Sequence, residues 1–283
     1  MKTILISGGT DGMGRALAMH YLEHGDAMVI AGRSPEKGKR FLADAADMGT
    51  GERATFIQAD LSLMSENRRL VEEVKASHDS LDALVLAVSL KLSKTERVTK
   101  EGLEFVFALM CLSRFTLGYG LADLLEKSPA PTILNIAPSG RKGEVDWDAI
   151  ERSGKGLGGS PQFQSSRLND LLGVSFSERE RRSKGAIRYV LFNPWAMRSK
   201  GALNSYDSPV MKLVTRIIYA FIGQSVDEAI VPMVKLIDNP PADTLSAFIK
   251  TKPVDISMAT FDPAKARRLD EATRRLLRET DGL

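Results

Sequence analysis

Ile4-Leu5-Ile6-Ser7-Gly8-Gly9-Thr10-Asp11-Gly12-Met13-Gly14 joins a short apolar run to glycines spaced G-x3-G-x-G at 8, 12 and 14, and the amphipathic stretch Arg15 to Glu23 follows at once. Glycine is required where φ is positive and where backbone must come close to a pyrophosphate. A helix that starts there adds N–H groups and a partial positive charge. A glycine-rich loop alone is a weak signal, but between a strand and a helix it reads as a dinucleotide cradle.

Outward from this turn, apolar runs alternate with amphipathic segments: Met28 to Ile30, Pro35 to Met48, Thr55 to Ile57, Leu84 to Leu86, Lys100 to Glu126, Thr132 to Ile136, Gln164 to Arg182, Arg188 to Phe192 and Val226 to Ile237. Strands that are apolar on both faces and separated by helices predict a parallel sheet with right-handed crossovers. The expected fold is α/β, a Rossmann-type doubly wound parallel sheet flanked by helices, as one domain over 1–283. Ligands of such sheets sit beyond the carboxyl ends of the strands, so the segments after Ile6, Ile30, Leu86, Ile136 and Phe192 are expected to line one cleft.

Strand two ends Ala31-Gly32-Arg33-Ser34, without the carboxylate that would grip a ribose 2′-hydroxyl. Arg33 offers a planar fork to a 2′-phosphate and Ser34 a hydroxyl, so NADP(H) is the expected cofactor. Gly8, Gly12 and Gly14, with Ser7 before them, resemble the TGxxxGxG pattern of the short-chain dehydrogenase/reductase family. The resemblance covers nearly the whole chain. It implies that Ser7, Gly8, Thr10, Gly12, Met13 and Gly14 form the pyrophosphate loop, that Asp60 and Leu61 meet the adenine, and that Ala87 is a further cofactor-binding position. It also implies that Pro194 and Ser199 flank the nicotinamide amide, with Trp195 where the family has glycine. Thr99, Gly102, Glu104 and Phe107, the acidic loop Val145 to Asp148 and the stretch Asp262 to Leu277 are similar to the retinol-dehydrogenase-like branch. The apolar periodicity of Val210 to Ile222 falls where the family has a substrate lid, near 200–225.

The same resemblance exposes four departures. Met110 stands at the family's proton-relay asparagine, Pro138 at its serine, Phe163 at its tyrosine and Arg167 at its lysine, while Ala87-Val88-Ser89 replaces Asn-Ala-Gly. A phenyl ring has no proton to give, and a guanidinium holds its own near neutral pH. Tetrad chemistry is therefore not expected. Ser139 and Gln164 are the remaining polar candidates, and Arg167 is expected to hold the nicotinamide ribose.

Lys+Arg 39 against Asp+Glu 36 leaves +3, too balanced for a nucleic-acid footprint. Cys111, the single cysteine, excludes an intrachain disulfide and is expected to be a buried, inert thiol. His20 and His24 lack a third ligand, so no metal is expected. The apolar stretch near the lid, interrupted by Lys212 and Arg216, is too short to span a bilayer, and a cytoplasmic location is expected. Phe105, Leu109, Leu112, Leu171 and Leu172 predict a homodimer or homotetramer through the two long helices.

Three functions follow as expectations. One is an atypical NADP(H)-dependent oxidoreductase acting on a small hydrophobic metabolite. The others are a non-redox cyclase or isomerase on the same fold and a non-catalytic NADPH-binding regulator.

Overall fold

The computed structural model describes residues 1–89, 98–151, 161–195 and 224–280, with backbone alone at 161–163. Ser199 and the expected lid segment lie outside the described residues. In chain order the main elements are β1 (Thr3–Ser7), α1 (Gly12–Glu23), β2 (Ala27–Gly32), α2 (Pro35–Asp47), β3 (Ala54–Gln58), α3 (Met64–Ser77), β4 (Ala83–Leu86) and α4 (Ser113–Gly120). They continue with β5 (Thr132–Ile136), α5 (Pro161–Ser183), β6 (Arg188–Asn193), α6 (Val226–Asp238), β7 (Leu245–Ile249), β8 (Lys252–Pro253) and α7 (Pro263–Thr280). The strands form one sheet in the order β3-β2-β1-β4-β5-β6-β7-β8, parallel throughout except for β8.

Alternate side chains of each strand face opposite layers. Leu5, Val29, Leu84 and Ile133 join the core under α3, α4, α5 and α7, while Ile4, Ile6, Ile30 and Val85 join the core under α1, α2 and α6. Because β1 pairs with β2 on one side and β4 on the other, the chain order reverses there, and the crevice at the carboxyl ends of β1 and β4 is the place for a ligand.

Three elements lie beyond the series read from sequence, α3, β7 and the short β8. Helix α3 buries Asn67, Leu70, Val71 and Val74 at helical spacing, and β7 is a short apolar run that pairs with β6. The single helix expected from Lys100 to Glu126 is broken. The Glu104 carboxylate caps it by accepting from the N–H groups of Val106 and Phe107 at 2.9 and 2.6 Å, so the helix starts at Phe105. It then passes through a π turn at Ala108–Leu112 and α4 ends at Gly120, whose missing Cβ would fall 2.9 Å from Val71.

The apolar surplus assigned to subunit contact is covered within the chain. Leu109, Leu112, Leu171 and Leu172 are buried, and Phe105 packs against the same core. Helix α7 lies on α5, placing Arg274 over the rings of Phe115 and Tyr119 at 5.2 and 4.9 Å. These side chains thus pack against the sheet and helices of their own chain. No helix among the described residues is long and apolar enough to cross a membrane.

Candidate functional site

The glycine turn closes against β4. Gly8, at φ +81°, donates its N–H to Ala31 O at 2.8 Å, and a Cβ there would fall 2.8 Å from Val88 N. Gly14 abuts Gly8 O, which draws α1 onto the turn. Gly12, at φ +54°, has nothing within 4 Å of where its Cβ would be. So one glycine serves chain-to-chain approach and the other faces open space. In the first turn of α1 the N–H of Gly12 is taken by Asp11, leaving those of Met13 and Gly14 without an intrahelical acceptor. These features fit a dinucleotide pyrophosphate.

At the tip of β2, a Cβ on Gly32 would lie 2.8 Å from Thr10 Cγ2, so a side chain there would have to displace Thr10. Arg33 is exposed, and its guanidinium has no ion-pair partner among the described residues. Ser34 is occupied otherwise: its hydroxyl caps α2 by accepting from Lys37 N at 3.2 Å and donates to Glu36 at 2.8 Å. Lys37, which the sequence reading passed over, lies in the first turn of α2, pairs with Asp11 and holds that carboxyl below its usual range. It brings a second cation to the edge where a 2′-phosphate would lie. The Ser7 hydroxyl is buried and donates to Val85 O at 3.4 Å, so it ties β1 to β4 rather than lining the cleft. Asp60 accepts from the Ser62 N–H and hydroxyl at 3.1 and 2.7 Å, Leu61 is buried, and Ala87 donates its N–H to Ser7 O.

Across the crevice, the turn after β5 is laced to one face of α5. Ser166 donates to Pro138 O, Gly140 N donates to Asp170 Oδ2 at 3.0 Å, and Arg167 reaches Lys142 O at 3.4 Å. Arg167 therefore lies against the loop 142–143, where a Cβ on Gly143 would fall 2.6 Å from its Nη1. Position 163 lies on the first turn of the same helix, and the Phe163 side chain is outside the described residues. Gln164 accepts from Asp146 N at 2.9 Å, which engages its oxygen with the acidic loop. Ser139 is 2% exposed, and its hydroxyl donates to Ala137 O at 3.3 Å.

Asp170 was missed from sequence. It is fully buried on α5, accepts from Thr260 Oγ1 at 2.8 Å as well as from Gly140, and its Oδ1 is in no hydrogen bond among the described residues. Burial pushes its pKa up to about 7, against the opposing effects of Thr260, Gly140, Ser139 and Arg167. The i+3 spacing from Arg167 was the available signal.

Beneath the cleft edge, Arg114 is buried and donates to Asn135 Oδ1, to Asn169 Oδ1 at 3.0 Å and to Val88 O at 2.9 Å. Asn169 in turn donates to Met110 O at 2.9 Å, and Asn135 donates to the Tyr189 hydroxyl at 2.8 Å. Burial lowers the Arg114 pKa to about 10. The signal for this cluster was polar residues inside apolar runs, Asn135 in Thr132–Ile136 and Arg114 between Leu112 and Phe115. Trp195, at φ +65° and 55% exposed, holds a backbone conformation suited to glycine at the carboxyl edge of β6, with its N–H donated to Asn193 Oδ1 at 2.8 Å. Cys111 is buried and its thiol is pushed up to about 12, as expected for an inert group. The described residues hold no His/Cys/Asp/Glu group suited to a metal ion.

A model of the short chain dehydrogenases matches residues 2–147, half of the chain, and the protein belongs to that family. Oxidoreductase calI from Penicillium decumbens is 30% identical over 200 residues, covering 68% of this chain and 57% of its own. Polyprenol dehydrogenase from Homo sapiens is 28% identical over 130 residues, covering 46% and 39%. The chain thus spans less than two thirds of the length of these curated relatives. Among solved structures, a short chain dehydrogenase from Shigella flexneri complexed with NADP superimposes with a TM-score of 0.64 at 17% identity, covering 89% of this chain and 97% of that one. This likeness establishes the fold.

Proposed function

We propose that the protein is an atypical NADP(H)-binding oxidoreductase that reduces a small, hydrophobic, activated carbonyl or enone without the Tyr-Lys acid of its family. The observation that carries the reading is the pairing of an open glycine cradle with a β2 tip that carries glycine instead of a carboxylate and presents Arg33 and Lys37. Gly8, Gly12 and the first turn of α1 would hold the pyrophosphate, and Arg33 the 2′-phosphate. The bound cofactor would supply hydride. The crystallised relative complexed with NADP supports this choice, and the name of polyprenol dehydrogenase supports an apolar acceptor, as does the resemblance to the retinol-dehydrogenase-like branch. Hydride transfer needs chiefly placement, so an acceptor already activated loses less when the usual acid is gone. The single thiol, buried and inert, is in keeping with a cytoplasmic setting.

Titrating the protein with NADPH and with NADH, followed by nicotinamide fluorescence, tests the reading. Binding of NADPH at least tenfold tighter supports it, and equal affinities overturn the NADP(H) assignment. One observation favours a second reading, a non-catalytic NADPH-binding regulator: Trp195 stands exposed on a strained backbone at the nicotinamide end. In that case NADPH binds and no acceptor consumes it.

A further inference from the structure

We propose that Asp170 is the proton source of this cleft and delivers its proton through the Ser139 hydroxyl to the oxygen of an activated carbonyl acceptor. The inference rests on the oxidoreductase reading above and adds the acid that this reading lacks.

The geometry comes first. Positions 163, 166, 167 and 170 share one face of α5 through i, i+3, i+4 and i+7 spacing, so Asp170 stands two turns beyond the position where the tyrosine is missing. Ser139 follows Pro138 on the turn that this face grips. The Ser139 hydroxyl lies beside the Asp170 carboxyl, and rotation about one bond releases its hydrogen from Ala137 O toward an acceptor while its oxygen accepts from the protonated carboxyl. Asp170 Oδ2 is held by Gly140 N and Thr260 Oγ1, while Oδ1 has no partner among the described residues and is free to carry a proton.

The charges around the group favour this use. Arg167, on its own helix, is the cation that acts on Asp170; Ser139 and Gly140 face it from the turn, and Thr260 faces it from the Ala259–Phe261 segment. None of these neighbours is a carboxylate. Burial outweighs the cation and the donors, leaving a carboxyl that titrates near pH 7, where a general acid is most effective.

The step balances with a reduced nicotinamide as reductant. Hydride adds to the carbonyl carbon and the C=O π pair moves to oxygen. That oxygen forms an O–H bond as the Ser139 O–H breaks, and the Ser139 oxygen takes the proton of Asp170. The carboxylate left behind recovers a proton from water, so each turn consumes one hydride and one proton.

A purely structural Asp170 would only tie the turn to α5. Asp170→Asn separates the two roles, because its amide oxygen still accepts from Gly140 and Thr260 but it has no acid proton to give. The experiment measures NADPH binding by fluorescence, NADPH consumption with phenanthrenequinone between about pH 5 and pH 9, and the carboxyl titration by carbon-13 NMR of aspartate-labelled protein. The expected result is a carboxyl resonance, absent in Asp170→Asn, that titrates near pH 7, with a rate that is flat below this value and falls above it. Asp170→Asn should lose that falling limb and about 100-fold or more in rate while binding NADPH as before, and Ser139→Ala should lose a comparable factor. If the unmodified protein fails to bind NADPH, the oxidoreductase reading falls and the relay with it. If it binds NADPH and leaves the quinone unreduced, or if Asp170→Asn keeps both rate and pH profile, the relay alone falls.

Discussion

The two sides of the crevice between β1 and β4 have been treated differently. On the β1–β2 side the cradle is made of backbone: Gly8 meets Val88, Gly14 meets Gly8, and Gly32 meets Thr10. On the β5–α5 side the sequence reads Met110, Pro138, Phe163 and Arg167, and polar groups stand deeper in the fold, with Arg114, Asn135 and Asn169 under the edge and Asp170 behind the turn. A cradle made of backbone cannot be re-sited without breaking the turn, because its parts are close approaches between chain segments. Polar side chains can stand elsewhere along the same helix at little cost to the fold.

The sharpest way to break this comparison is at Arg114. If the deep polar cluster is the framework of the altered side, Arg114→Ala leaves Asn135 and Asn169 facing a void and should cost about 3–5 kcal/mol in denaturant unfolding. A loss under about 1 kcal/mol would show that the cluster holds nothing together.

The cradle offers a contrast between two glycines. Gly8→Ala meets backbone at 2.8 Å and should destabilise the fold by about 2 kcal/mol or more. Gly12→Ala meets nothing, should cost about 1 kcal/mol for its positive φ, and should still weaken NADPH binding at least tenfold. Melting curves and fluorescence titrations on both variants separate a glycine that serves the chain from one that serves the ligand.

Arg33→Ala should erase most of the NADPH preference, a loss of about tenfold to a hundredfold in affinity, or ~1.5–3 kcal/mol. A residual preference that disappears on adding Lys37→Ala would assign the second phosphate contact to Lys37.

Asp170 also links stability to pH. Its folded pKa is raised, so its ionisation favours the unfolded chain, and its contribution is lost as pH rises from about 4 to about 7. Asp170→Asn does not ionise there, so its melting temperature should gain on that of the unmodified protein between pH 5 and pH 8, both values being about one unit inside or outside that window.

The smallest effect is expected from Phe163→Tyr with Arg167→Lys. Turnover of simple ketones should stay near background, because Pro138 and Trp195 remain and the turn at 138–142 stays laced to α5. Rates in the family's usual range of about 1–100 per second would show that the altered side needs only those two groups.

The alternation of apolar runs and the glycine turn were enough to predict a doubly wound parallel sheet and its cradle, since both are local: period and spacing report directly on which backbone segments must lie close together. Where polar groups came to rest on the other side was not legible. Arg114, Asn135 and Asn169 are far apart in the chain, as are Asp170 and its partners Gly140 and Thr260, and only the packing of α4 and α5 on the sheet brings each set into contact and removes the water around it. That packing also decided against the surplus apolar face: Leu171 and Leu172 look unpartnered along the helix, and burial within the chain depends on elements more than seventy residues away in sequence. Burial is a property of the assembled fold, and with it the pKa of Asp170, because the cost of a charge depends on the solvent that tertiary contacts exclude.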